Sequence, residues 1–272
     1  MKKYFRIFTT GILFCLMFII VPRSFAWEWH EMKGKHFIVY YQASSDRYLA
    51  QKTLRKAEDY YRRIGEEIGL TRYGNFWTWE DRAKIAIFAD QKTFMQKTGA
   101  PAWSIGFVDR KTRDSHIFKS RTIVTYKQEY NFFDGLLPHE ISHLILHDFI
   151  PARNIPVWFD EGVAQIQEAH KSDYANQLMR VLVARGNFID FGTLFVWDIS
   201  DEKDKIKVDI FYAQSLSIVE FLINTYGSGA FARLCRNLSD GHRFDEALRK
   251  AYSGNIKSIA DLQDKWVKYF KR

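Results

Sequence analysis

The chain has 272 residues, 47% hydrophobic and 26% charged, so it is long enough to bury a core and has an ordinary globular composition. It has no low-complexity tract, no repeat and no long Pro/Gly/Ser linker, which excludes a chain disordered over its length. The formal charge of +8 falls to +4 once residues 1–26 are set aside, because Lys2, Lys3, Arg6 and Arg23 go and no acid does; so mild and dispersed a charge excludes nucleic acid as a partner.

Residues 1–26 have the layout of a secretory signal. A cationic "MKKYFR" precedes the apolar "IFTTGILFCLMFIIV", and "PRSFA" ends in a Ser-x-Ala arrangement before Trp27. Cleavage after Ala26 and an exported product, periplasmic or secreted, are expected. The apolar run Ile7–Val21 covers 15 residues, short of the roughly 20 that a membrane span needs. Membrane contact is therefore expected only through an uncleaved signal. Export leaves Cys235 as the single cysteine, which rules out an intramolecular disulfide and predicts a buried, apolar role beside Leu234. Residues 27–272 are expected to form one unit, with an α+β part at 27–129 and a helical part at 130–272.

Within that unit, "HFIVYYQ" (36–42) reads as a strand and Ser44–Leu70 as a long amphipathic helix, capped by Ser45 or Asp46 and stopped by Gly69. "AKIAIFA" (83–89) is a second strand, and "DQKTFMQKTG" (90–99) a short capped helix. "AWSIGFVDR" (102–110) and "RTIVTY" (121–126) supply two more strands. The connection 110–121 carries Arg110, Lys111, Arg113, Lys119 and Arg121 against Asp114 and reads as a solvated hairpin, the alternative being a surface for an acidic partner. Trp27, Trp29, Trp77 and Trp79 are expected to pack or to anchor loops. From 130 onward helical periodicity dominates, with segments near 135–149, 156–169 and 172–185. A loop around 196–208 follows, and then helices over 209–227, 228–239, 243–252 and 258–270. Strands first and helices afterwards predict an α+β fold: a small N-terminal sheet with helices, then a mostly α-helical half.

The chemistry concentrates in "LPHEISHLILH" (137–147). His139 and His143 are four apart, so on a helix both imidazoles leave the same face and can reach one metal ion. Glu140 is rotated about 100° from His139, at the border of that face, where a carboxylate can take a proton from water. Pro138 suits the first turn, which predicts a short helix with a sharp start. His147 lies about 6 Å further along the axis, too far to join the same ion, and is expected to be a surface or helix-end histidine. A third ligand is sought in "PVWFDEGVAQIQEA" (156–169), where Glu161 sits among apolar neighbours and Gly162 admits a second helix at close range. The alternative is that Asp160 and Glu161 are ordinary first-turn acids.

"HEISH", followed after 17 residues by the Glu of "WFDEGVA", resembles the gluzincin zinc metallopeptidases, particularly the peptidase-MA-like group. "YAQSLSIVEFLINTYG" and the tail from "DEALRKAY" extend the resemblance over most of 83–272. It implies a zincin-like fold, one Zn2+ held by His139, His143 and Glu161, Glu140 as general base, and Tyr212 as a hydrogen-bond donor to the oxyanion. It also implies a peptide or protein substrate lying along an edge strand, either 102–108 or 121–126. The aminopeptidase signature Gly-x-Met-Glu-Asn is absent from the sequence, which favours an endopeptidase. The competing expectation is a catalytically silent exported binding or assembly protein on the same scaffold. Structural zinc would need a fourth protein ligand, whereas this spacing supplies three.

Overall fold

A computed structural model describes residues 29–69, 77–78, 80–102, 104–109, 121–128, 131–169 and 171–271. The expected signal segment, Trp27, Trp79 and the basic connection up to residue 120 lie outside them.

The N-terminal half runs β1 (His30–Lys33), β2 (Phe37–Tyr41), α1 (Arg47–Glu67), β3 (Ala83–Phe88), α2 (Gln91–Thr98), β4 (Gly106–Asp109) and β5 (Thr122–Tyr126). These strands form one five-stranded sheet in the order β1-β2-β3-β5-β4. The three central strands are parallel, while β1 and β4 run antiparallel along the two edges. The parallel centre was not foreseen: α1 crosses from β2 to β3, as parallel neighbours require. Strand β1 was missed because its four residues, "HEMK", alternate half-buried and exposed with no apolar run.

Both faces of the sheet are covered, which is why β2 is buried at every position. Phe37, Val39, Ile85 and Ile87 join the main core, while Ile38, Tyr40 and Ala86 pack with Trp29 on the opposite side. Trp77 is fully buried against Phe37 and Tyr61 and donates to Asp148 Oδ2 at 2.8 Å. Asp90 caps α2 by accepting from Thr93 N at 2.7 Å. Asp46, by contrast, makes no cap bond to α1; its carboxylate takes Lys127 Nζ at 2.8 Å instead.

The second half contains α3 (Leu137–Phe149), α4 (Val157–Gln165), α5 (Lys171–Arg185), the single turn α6 (Phe191–Leu194), α7 (Lys205–Tyr226), α8 (Ser228–Ser239), α9 (Phe244–Ala251) and α10 (Ile259–Phe270). Helix α7 is the axis of this half, buried from Ala213 through Val219 and packed against α4, α5 and α8. It starts a turn earlier than its apolar pattern suggested, because Asp204 caps it by accepting from Ile206 N at 2.9 Å while its first turn stays largely exposed. Cys235 is fully buried on α8, and burial pushes its thiol up to about 12. Among the described residues no helix is long and apolar enough to cross a membrane.

Candidate metal centre

Helix α3 carries the first part of the site and is buried over most of its length, so its polar residues have been taken out of water deliberately. Pro138 occupies its first turn as expected, but the start is not sharp. A π-helical turn, Phe132–Leu136, runs straight into it from Asn131, whose φ of 57° is left-handed. Helix α4 lies across α3, and Gly162 allows α4 to meet α7: a Cβ there would stand 2.6 Å from the Ser215 carbonyl oxygen.

This packing brings His139, His143 and Glu161 together. The two Nε2 atoms are 3.1 Å apart. Glu161 Oε2 lies 3.7 Å from His139 Nε2, and Oε1 lies 3.9 Å from His143 Nε2. Donor atoms about 2.0–2.1 Å from one tetrahedral ion stand about 3.3 Å apart, so the trio has the right span. The donor chemistry agrees. His139 Nδ1 is 2.8 Å from Glu168 Oε1, and His143 Nδ1 is 2.8 Å from Asp160 Oδ1. Carboxylates only accept, so each Nδ1 carries a hydrogen and the two Nε2 atoms are turned toward each other. Two ring nitrogens this close need a proton or a cation between them.

The charges are tuned accordingly. Burial disfavours the His143 imidazolium, but Asp160, with Glu161 and Glu140, outweighs it and lifts the pKa to about 9. Burial pushes the Glu161 carboxyl up, opposed by His143 and His139. For Asp160 burial is overcome by His143 and His147, which hold its carboxyl well below the usual range; Glu168 is lowered likewise by His139 and Lys171. Burial, and then the charges of Glu161 and Glu140, push the Tyr212 phenol up to about 12, so it stays a donor.

All of these groups except His147 line one cleft of about 820 Å³. Its other wall is Ser104–Val108, including the edge strand β4. Gly106 brings that strand close, since a Cβ there would meet Leu136 Cδ2 at 2.9 Å. Of the two strands considered for substrate, 121–126 is interior, whereas β4 pairs only with β5 among the described residues.

Residues 118–272 match the family model of the peptidase MA superfamily. The chain belongs to that superfamily. The matched part takes in β5 and every helix from α3 onward, and thus the whole histidine and carboxylate cluster of this peptidase-like domain. A search of curated proteins gives no significant match.

The structure gathers His139, Glu140, His143, Glu161 and Tyr212 in the cleft, with Tyr212 two turns inside α7. His147 departs from expectation. It is not on the surface but largely buried, with Nε2 2.6 Å from Asp160 Oδ2. Asp160 and Glu168 were not foreseen as partners of the histidines. A signal for both exists: in "WFDEGVAQIQEA" polar residues recur inside an apolar stretch, and each must be satisfied. Helix α4 ends at Gln165, earlier than expected, and Ala169 N then bonds to Asp134 O at 2.8 Å, which turns Glu168 back toward His139.

Proposed function

We propose that this member of the superfamily is an exported, zinc-dependent endopeptidase. The observation that carries the reading is the facing pair of Nε2 atoms at 3.1 Å with the Glu161 carboxylate beside them, in a superfamily whose members are typically zinc-dependent. His139, His143 and Glu161 would hold the ion. Bound there, zinc supplies Lewis acidity and makes water acidic near neutral pH.

The chain's own residues do the rest. Glu140, buried on the cleft side of α3, accepts a proton from the attacking water and returns it to the leaving amine. Tyr212 keeps its proton and donates to the carbonyl oxygen as charge builds on it. The edge of β4 that has no partner strand among the described residues pairs with an extended substrate main chain. Export is supported by the charge and apolar layout of residues 1–26.

Metal analysis of the chain beginning at Trp27, with peptide-cleavage assays of wild type and Glu140→Gln, tests the reading. Wild type should carry one zinc and cleave within peptides. Glu140→Gln should keep the zinc and lose about 10²–10⁴-fold in rate. A zinc-free wild type sinks the proposal, and equal cleavage by both proteins removes the catalytic part. N-terminal sequencing of the protein recovered outside the cytoplasm should start at Trp27.

A further inference from the structure

His147 takes no part in the chemistry just described, yet it is tied into the same cluster. Its Nε2 lies 2.6 Å from Asp160 Oδ2, while Asp160 Oδ1 lies 2.8 Å from His143 Nδ1. Since a carboxylate only accepts, both imidazoles donate to Asp160, one to each oxygen. The remaining nitrogen, His147 Nδ1, is buried and has no hydrogen-bond partner among the described residues. A residue kept only to fill space would be Leu or Phe, which leave no buried nitrogen unpaired. The ring is therefore held for what its Nε2 does.

His143, His147 and Asp160 stand close enough together to suggest a second metal ion. The spacing argues against it. Contacts of 2.6 and 2.8 Å are hydrogen bonds, whereas ligands of one zinc ion stand about 3.3 Å apart. A second ion would also need His143 Nδ1, the nitrogen whose hydrogen orients that ring.

We propose that His147 is a positioning residue for the zinc site: it locks the Asp160 carboxylate by its second oxygen and so holds the His143 ring with Nε2 turned to the ion. The inference rests on the zinc reading above. Without His147, Oδ2 becomes a buried acceptor with no donor, and Asp160 rotates or takes up a proton. Either change weakens the bond to His143 Nδ1, and that bond sets both the orientation of the ring and the basicity of the ligating nitrogen.

The test strips the protein with a chelator and titrates zinc back against a chromophoric competitor. It compares wild type with His147→Leu, His147→Asn and His147→Gln, and records the melting temperature of each zinc-free protein. All should bind one zinc. Leu and Asn should raise Kd about tenfold, the lower end of the range for groups behind a ligand. Gln, whose amide N–H reaches about as far as Nε2, should stay close to wild type. If Leu does not fold, Asn carries the comparison.

Unchanged affinity in Leu and Asn overturns the inference, as does a Gln variant as weak as Leu. Affinities that merely track the melting temperatures across the series also overturn it. Two zinc ions per wild-type chain, falling to one in His147→Leu, would make His147 a ligand and overturn it too. A wild type that takes up no zinc fails differently: it overturns the zinc reading and this inference with it, whereas every other adverse result leaves the zinc reading standing.

Discussion

Gly162 sits next to Glu161 at the crossing of α4 and α7, and replacing it with Ala tests whether this crossing builds the site. A Cβ there would meet the Ser215 carbonyl oxygen at 2.6 Å and Val219 Cγ2 at 2.7 Å, roughly 1 Å inside ordinary van der Waals separation. Ser215 O is backbone in the buried middle of α7 and cannot swing aside. Helix α4 must move instead, at a cost of about 1–3 kcal/mol for overpacking. Exchanging a helical glycine for alanine returns up to about 1 kcal/mol, so a net loss of about 1–2 kcal/mol is expected. In a domain of this size that lowers the melting temperature of the zinc-free protein by about 3–6 °C. The shift also carries Glu161 away from the two Nε2 atoms, and a displacement near 1 Å costs about 10²-fold in activity. Gly229→Ala is the control, because its Cβ would find only Arg233 Nη1, at 4.0 Å. Calorimetric melting and zinc titration read both effects. A Gly162→Ala protein as stable as wild type, with the same zinc affinity, would refute the claim that this close approach sets the position of Glu161.

Three other outcomes are expected. Asp160→Asn and Glu168→Gln each remove a carboxylate that accepts from a histidine Nδ1, and competition titration should find zinc affinity lowered about 10–100-fold. Tyr212→Phe should lower kcat by about 10²-fold or more while leaving KM and zinc content near wild type, because its hydrogen bond is made as the oxyanion forms; steady-state kinetics with metal analysis read the split. Zinc uptake should displace a proton. His143 is raised from 6.5 to about 9 in the zinc-free chain, so at pH between these values the folded protein holds a proton that the ion must replace. Titration calorimetry in buffers of different ionisation enthalpy should find about one proton released near neutral pH, fading above pH 9. By the same linkage, the stability this proton contributes is complete below pH 6.5 and is lost as pH rises through 9.

Local signals account for what the sequence made legible. The apolar runs of β2, β3 and β5, the Asp90 cap and the Gly99 stop of α2, and the helical periods after 130 all report short-range preferences that the packing respects. The parallel centre of the sheet was not legible, because pairing direction depends on where α1 carries the chain and not on any strand's own residues. The start of α7 was missed for the opposite reason. Its first turn is exposed and carries no apolar period, and only the Asp204 cap marks it.

The same division runs through the cluster itself. Four-residue spacing put His139 and His143 on one face, and the axial rise of a helix put His147 beyond the reach of their ion. From that reach it did not follow that His147 faces solvent. What it faces is set by α4, where Asp160 and Glu161 are consecutive and so point about 100° apart around the axis. That angle sends Glu161 to the Nε2 pair and Asp160 to the far sides of His143 and His147. One helix crossing therefore fixes both the group facing the Nε2 pair and the group behind it. The three histidines of α3 differ in task because of what α4 sets against each, a long-range property that no reading of "HEISHLILH" by itself contains.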